Sequence, residues 1–376
     1  MKNNSNYINF ILTADKQYIV QLATTITSVL CNLNYRVTAR FFLLTTDVSD
    51  EDLIILKKCK EIRPCEIIHI PVAQHLHFFN RIDVSKFALK HVSLACYYRL
   101  LMFKVLPEDV DKCFYIDADI IVNTDLLPIY KQLQPNQMAA VVVENFAMCT
   151  RNNTLKHLKK IEDFKNFNKN PFKYPYFNAG FLLINIKYAR KECIFEQCMQ
   201  FLKENPNPPY ADQDTLNAVI GQRYTPNILF LSPSYNVFCD FGMKQINWKK
   251  GFYNFVDMQE ALLYPEVFHY AGSLKPWKTL AQNFNQIWWT YYSLSPYGGS
   301  SAFSKPKESW EKQDFYLFGC IPLVTILSKV KESSREKKCY LFRFFVLFKI
   351  LADSHSYRFL LFNFIPLWQK KEHYEH

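Results

Sequence analysis

Hydrophobic positions in the first half of the chain fall into short apolar runs separated by segments of helical period. Tyr7 to Thr13 is a β-rich apolar run that closes on Ala14-Asp15, and Tyr18 to Leu33 follows with helical spacing. Ala39 to Thr45 predicts a second buried strand, Asp50 to Cys59 a helix entered through an Asp/Ser-rich start, and Cys65 to Ile70 a third strand. Lys112 to Ile116 and Met138 to Val143 add two more. Alternation of this kind predicts an α/β fold, a parallel sheet covered by helices. Ligands of such sheets sit beyond the carboxyl ends of the strands, so Asp15 and the pair Asp117 and Asp119 are expected on one edge.

The pattern then changes twice. Arg151 to Tyr176 turns basic and polar, which predicts a lid or acceptor-facing excursion. Order returns with Asn178 to Asn185, a turn feeding a strand, and with Asp212 to Ile220, a helix with carboxylates near its start. From about Gly298 a Gly/Ser/Lys-rich linker leads into a tail with three degenerate copies of one unit, Tyr316 to Leu323, Tyr340 to Leu347 and Leu360 to Leu367. Each copy is short, aromatic and flanked by Lys or Arg. The division expected is a catalytic domain over 1–297 and an aromatic, basic, helical tail over 298–376. Lys329, Lys331, Lys337, Lys338, Lys370 and Lys371 suit attachment to an anionic membrane surface; docking on the catalytic domain or on a second subunit is the alternative.

Composition narrows the partners. With 49% hydrophobic and 16% aromatic residues the chain is globular, and its formal charge of +11 favours anionic partners. Nucleic acid is excluded as the expectation, because the basic residues of the tail alternate with apolar blocks and no zinc-finger or RNA-recognition signature is present. The 11 cysteines form no CxxC pair, and an odd number precludes a complete internal disulfide framework. The N-terminal MKNNSNYINF lacks the pattern of a secretory signal, and no run reaches the 18 or so apolar residues that span a bilayer. The expectation is a cytoplasmic protein, peripheral on the inner face of the cytoplasmic membrane.

The chemistry centres on Asp117-Ala118-Asp119. Alternate extended residues project to one side, so an apolar strand that delivers Asp-x-Asp brings two hard oxygen ligands to one cation. His269 follows the apolar Pro265-Glu-Val-Phe268 and opens His269-Tyr-Ala-Gly-Ser-Leu-Lys275-Pro-Trp277. An imidazole beside two carboxylates moves the preference towards Mn²⁺ with Mg²⁺ as the alternative, and Lys275 can meet phosphate charge. Tyr97, Tyr98, Trp288 and Trp289 are expected in the core, and His75, His77 and His91 without a role.

These residues stand among Thr13-Ala-Asp-Lys-Gln-Tyr18, Tyr98-Arg-Leu100, Tyr115-Ile-Asp-Ala-Asp-Ile120, Phe177-Asn-Ala-Gly180, Asp212-Gln-Asp-Thr-Leu-Asn217 and His269 to Trp277. In this order, over residues 7 to about 290, the chain resembles the retaining glycosyltransferases of family 8, which include bacterial lipopolysaccharide galactosyl- and glucosyltransferases and, more distantly, glycogenin. The resemblance implies a GT-A nucleotide-binding domain with a mixed, mainly parallel sheet. It implies transfer of galactose or glucose from a UDP-hexose to a lipopolysaccharide or lipooligosaccharide acceptor. Asp117, Asp119 and His269 would ligate Mn²⁺; Asp15, Gln17 and Tyr18 would hold the uridine; Arg99 would lie near the diphosphate and ribose. Asn178, Ala179 and Asp212 would meet the transferred sugar, Lys275 the leaving group, and Glu144 and Asn145 the acceptor side. Gln17 stands where close relatives often carry Asn. Gln213, with Asp212, occupies the position from which a nucleophile would act, and an amide is a poor nucleophile, which favours front-face transfer. A non-catalytic UDP- or membrane-binding scaffold of the same fold is the alternative, and the full set of motif residues argues against it.

Overall fold

The computed structural model describes residues 7–79, 94–144, 175–205, 208, 210–239, 252–272, 274–279 and 284–300, and six tail strands between 308 and 371. The expected excursion over 151–176 lies outside the described residues apart from its last two, and His91 and Asn145 lie outside them too. The chain divides into two compact units, residues 1–269 with 290–299, and residues 270–289 with 300–376.

In the first unit β1 (Tyr7–Ala14), β2 (Thr38–Thr45), β3 (Cys65–Pro71) and β4 (Lys112–Ile116) run parallel. After the short β5 (Ile120–Val122), strands β6 (Ala139–Val143), β7 (Phe177–Asn185) and β8 (Ile228–Phe230) extend the sheet to the order β3-β2-β1-β4-β7-β6-β8. Strand β7 is antiparallel to both β4 and β6, so the sheet is mixed and mainly parallel, the expected GT-A architecture. Strands β2, β4, β6 and β7 are buried along nearly their whole length, as strands covered on both faces are. Phe10 stacks on Phe41 at 5.1 Å and on Phe114 at 5.5 Å, and all three are fully buried.

Helix Ile19–Asn32 follows β1 after a single 3₁₀ turn over Lys16–Tyr18, and it is buried along almost its whole length. Its hydroxyls organise the site. Thr25 Oγ1 lies 2.9 Å from the Ala118 carbonyl and 2.7 Å from that of Ile120, and Ser28 Oγ accepts the Val122 amide at 3.0 Å. Helix and strand end are thereby joined where the Asp-x-Asp stands. A second, three-stranded sheet adds β9 (Val237–Phe238) and β10 (Val267–His269) to β5, with His269 in register with Ile120. The ladder therefore sets His269 next to Asp119 despite their separation in sequence.

The second unit contains the tail, and here the helical expectation is corrected. Residues 308–371 form a six-stranded antiparallel sheet of β11 (Glu308–Leu317), β12 (Ile321–Lys331), β13 (Ser334–Leu341), β14 (Phe345–Asp353), β15 (Ser356–Leu361) and β16 (Ile365–Lys371). β-branched and aromatic residues at close intervals favour strands over helix, and runs this short pair best as hairpins. Each copy of the repeat contains the adjoining ends of two paired strands, β11 with β12, β13 with β14 and β15 with β16. The copies also share a register shift, which passes over Leu323, Leu347 and Leu367, the last residue of each unit.

Candidate active site

Asp117 and Asp119 lie at the carboxyl end of β4, though not in extended backbone. The Ile120 amide bonds the Asp117 carbonyl at 3.2 Å, so the pair sits in a turn between β4 and β5. The turn, and not the pleat, brings the carboxylates round to one side. Asp117, Asp119 and His269 each offer a ligand atom, all within 4.8 Å of one another. His269 Nε2 is 3.4 Å from Asp119 Oδ1 and 3.9 Å from Asp117 Oδ2.

The donor set fits a divalent cation on chemical grounds. His269 Nδ1 lies 2.9 Å from Asn236 Oδ1, and its other ring nitrogen, Nε2, faces the two carboxylates. Three electron-rich atoms facing one point are compatible when a cation lies between them. The space is kept by Gly180, where an added Cβ would stand 2.5 Å from His269 Cε1 and 2.7 Å from Asp117 Oδ2.

Arg99 ties this cluster to a second one. Its guanidinium bonds Asp117 Oδ1 at 3.0 Å, Asp212 Oδ2 at 2.8 Å and the Ala179 carbonyl at 2.6 Å, and it lies over the Tyr115 ring. Burial opposes its charge, but the Asp117 and Asp212 carboxylates prevail and raise its pKa. Burial pushes Asp212 above the usual carboxylate range against the pull of Arg99. Tyr115 donates to Asp117 Oδ1 at 2.7 Å, and its hydroxyl also meets Thr13 Oγ1 at 2.9 Å.

A cleft of ≈ 220 Å³ opens beside these groups, lined by Thr13, Ala14, Asp15, Tyr18, Cys96, Tyr98, Arg99, Asp117, Ala118 and Asp119. Asp15 and the Asp-x-Asp thus share an edge, as the strand pattern predicts. Asp15 also caps the 3₁₀ turn by accepting the Tyr18 amide at 3.1 Å, while Gln17 is exposed on that turn and outside the cleft lining. Tyr97 and Trp288 are fully buried, as expected of core. Tyr98 is buried and yet lines the cleft, which the core reading missed.

Gln213 and its neighbours form one hydrogen-bonded group. Gln213 Oε1 accepts from Asn178 Nδ2 at 2.8 Å and from the Ala179 amide at 3.0 Å, and its Nε2 donates to Glu144 Oε2 at 2.9 Å and to the Tyr176 hydroxyl at 3.2 Å. Tyr176 in turn donates to Asp214 Oδ1 at 2.6 Å. Burial raises the Asp214 pKa to about 6, despite hydrogen bonds from Tyr176 and the Tyr210 amide that lower it. Lys275 lies in the second unit, buried, donating to the Tyr270 carbonyl at 2.6 Å, with its ammonium 5.8 Å from the Trp277 ring centroid. Asn236, Thr25 and Gly180 escape a reading of the sequence for chemistry. Only the Gly of Phe177-Asn-Ala-Gly180 carried a signal, since glycine marks close approach.

The model of Glycosyl transferase family 8 matches residues 9–281. Glycosyltransferase GlyB of Streptococcus pneumoniae serotype 4 is 24% identical over 294 residues, covering 77% of this chain and 62% of GlyB. Lipopolysaccharide 1,2-glucosyltransferase of Escherichia coli K12 is 24% identical over 277 residues, covering 73% of this chain and 74% of that one. Of GlyA from the same Streptococcus the chain spans 34% of the length. Among solved structures, the galactosyltransferase LgtC in complex with donor and acceptor sugar analogs superposes with a TM-score of 0.61 at 20% identity, over 77% of this chain and 96% of that one. The bifunctional glycosyltransferase WbbM gives 0.61 at 20% identity, over 78% and 50%. These structural likenesses concern the fold, while the family model spans most of the chain together with the Asp-x-Asp, the Asn178 and Gln213 group and His269. The chain is therefore a member of glycosyl transferase family 8.

Proposed function

We propose that this protein transfers galactose or glucose from a UDP-hexose to a glycan or glycolipid acceptor of the lipopolysaccharide or lipooligosaccharide type, with retention and with Mn²⁺. The observation that carries the reading is the convergence of Asp117, Asp119 and His269 beside a cleft that Asp15, Tyr18 and Arg99 also line. When bound, the cation supplies Lewis-acid neutralisation of the diphosphate charge that develops as the sugar leaves. Asp117, Asp119 and His269 hold it. Arg99 orients Asp117 and Asp212 at once, and Asp15 and Tyr18 present a surface for the uridine. Lys275 neutralises the leaving group, and Gln17 makes a secondary contact with the nucleoside.

Gln213 and Asp212 position the sugar. Both accepting lone pairs of the Gln213 amide oxygen are already engaged, and Asp212 is held by Arg99. These commitments support front-face transfer, in which the departing phosphate oxygen takes the acceptor proton, over a covalent intermediate on either side chain. Asn178 completes the sugar side, and Glu144, bonded to Gln213, faces the acceptor.

We place the catalytic part at 1–297 and a membrane-attaching tail at 298–376, on the cytosolic face of the membrane. No described helix is long and apolar enough to cross a bilayer. Support comes from the hairpins: in β12, β14 and β16 the apolar run is followed within two positions by Lys329, Lys349 and Lys370, in β13 and β15 it is preceded directly by Lys338 and Arg358, and Lys338 pairs with Lys349. A basic band behind an apolar end is attracted to an anionic leaflet. Screening the full chain with Mn²⁺ across UDP-sugars, with linkage analysis of the product, tests the reaction. Transfer with retained anomeric configuration is expected, and no turnover with any UDP-sugar and a glycolipid acceptor overturns the reading.

A further inference from the structure

We propose that Asn236 is a positioning residue that fixes the His269 tautomer for metal binding, through a hydrogen-bond relay that also holds the sugar-side residues Asn178 and Gln213. The proposal rests on the metal reading above. A backbone N–H can only donate, and the relay is anchored on two adjacent ones. The Ala179 amide points to Gln213 Oε1 at 3.0 Å, which orients that carboxamide. The Gly180 amide points to Asn178 Oδ1 at 2.9 Å, which orients the next. With its oxygen so committed, Asn178 turns its Nδ2 to Gln213 Oε1 at 2.8 Å.

Asn236 has no freedom left. One end of its carboxamide faces Asn178 Oδ1 at 2.9 Å, an acceptor, so that end is the NH₂. Its other end, Oδ1, faces His269 Nδ1 at 2.9 Å and requires a proton there. The imidazole must then present the bare Nε2 to Asp117 and Asp119, which is the form a cation binds. Asn236 and His269 are both buried, so no bulk water competes for these groups. Two peptide groups of β7 thus dictate the orientation of three amides and one ring, and one relay spans the metal and sugar sides.

Two variants of the full chain separate this role from packing. Asn236→Asp keeps an acceptor for His269 Nδ1 but cannot donate to Asn178 Oδ1; Asn236→Leu removes both functions at similar volume. Mn²⁺ titration followed by electron paramagnetic resonance should show affinity lowered about 10- to 100-fold in Asn236→Leu, and held within about threefold or strengthened in Asn236→Asp. In Asn236→Asp the donor KM should rise instead, because the sugar side loses its tether. Equal loss of Mn²⁺ affinity in both variants overturns the proposal. Independently of any metal, long-range ¹⁵N–¹H correlation on histidine-labelled, metal-free wild type at pH 8 should find His269 protonated on Nδ1; protonation on Nε2 overturns the relay. Absence of Mn²⁺ binding by wild type with an Nδ1 proton in place would instead defeat the metal reading and leave the tautomer assignment standing.

Discussion

Asp117-Ala118-Asp119 occupies a turn and brings both carboxylates beside His269, whereas Asp212-Gln213-Asp214, in the first turn of helix Ala211–Leu216, sends its two carboxylates to different partners. The backbone makes the difference. Residues two apart on a helix are about 200° apart around its axis and cannot face one ligand. Asp212 accordingly reaches Arg99, and Asp214 reaches Tyr176 and the Tyr210 amide. Burial separates the triplets further. Asp117 and Asp119 are half-buried and line the cleft. Asp212 and Asp214 are buried and held by fixed partners, so burial drives their pKa values up. One triplet is arranged to take a ligand and the other to support it, and Arg99 joins them.

That joint is the place to break the contrast hardest. Arg99→Met leaves Asp117 and Asp212 without their shared cation and should cost about 3–5 kcal/mol of stability, read from denaturant midpoints. Asp212→Leu added to it should restore part of the loss; strict additivity would show that the two do not act as a pair. Asp119→Ala or His269→Ala should leave the fold intact and lower metal-dependent transfer about a hundred- to a thousandfold, or roughly 3–4 kcal/mol. Wild-type rates in either variant would remove these residues from the site.

The buried triplet predicts a dependence on pH. The folded-state pKa of Asp214, about 6, lies above its ordinary 3.8, so the native protein holds this proton more tightly than the unfolded chain. The contribution to stability is complete below pH 4 and is lost as pH rises through 6, roughly 2–3 kcal/mol at 1.36 kcal/mol per unit. Asp214→Asn should flatten that part of the curve in urea titrations of metal-free protein from pH 4 to 7. An unchanged slope would show that Asp214 does not titrate in this range. The smallest effect concerns space at the open triplet. Gly180→Ala places a methyl against His269 and Asp117 and should weaken Mn²⁺ about ten- to thirtyfold by titration calorimetry, with Tyr115 and Arg99 left in place. Unaltered affinity would mean the gap beside Gly180 is wider than the cation requires.

The tail offers the reverse lesson. Lys338→Glu with Lys349→Glu reverses charge where two strands pair, and anionic vesicles should then sediment less of the full chain, while neutral vesicles change little. Equal sedimentation would move membrane attachment elsewhere. The aromatic repeat was plain in the sequence, and each copy marks the adjoining ends of one strand pair, with the register shift at the same leucine. A helical tail was the wrong expectation because short apolar runs carry no decisive period.

Strand and helix order, the edge on which Asp15 and Asp117 lie, and the participation of Asp119 and His269 could be read from the sequence, because they depend on local apolar runs and on side-chain chemistry. Asn236, Thr25 and the two-sided role of Arg99 could not. Each acts through a partner brought near by strand pairing or helix packing, and no local pattern marks such a residue. The sequence alone determined which groups could hold a cation. Only the tertiary structure decided that one Asp-x-Asp opens towards it while the other turns inward, because turn and helix project the same spacing in different directions, and burial then raises the pKa values of the inward pair.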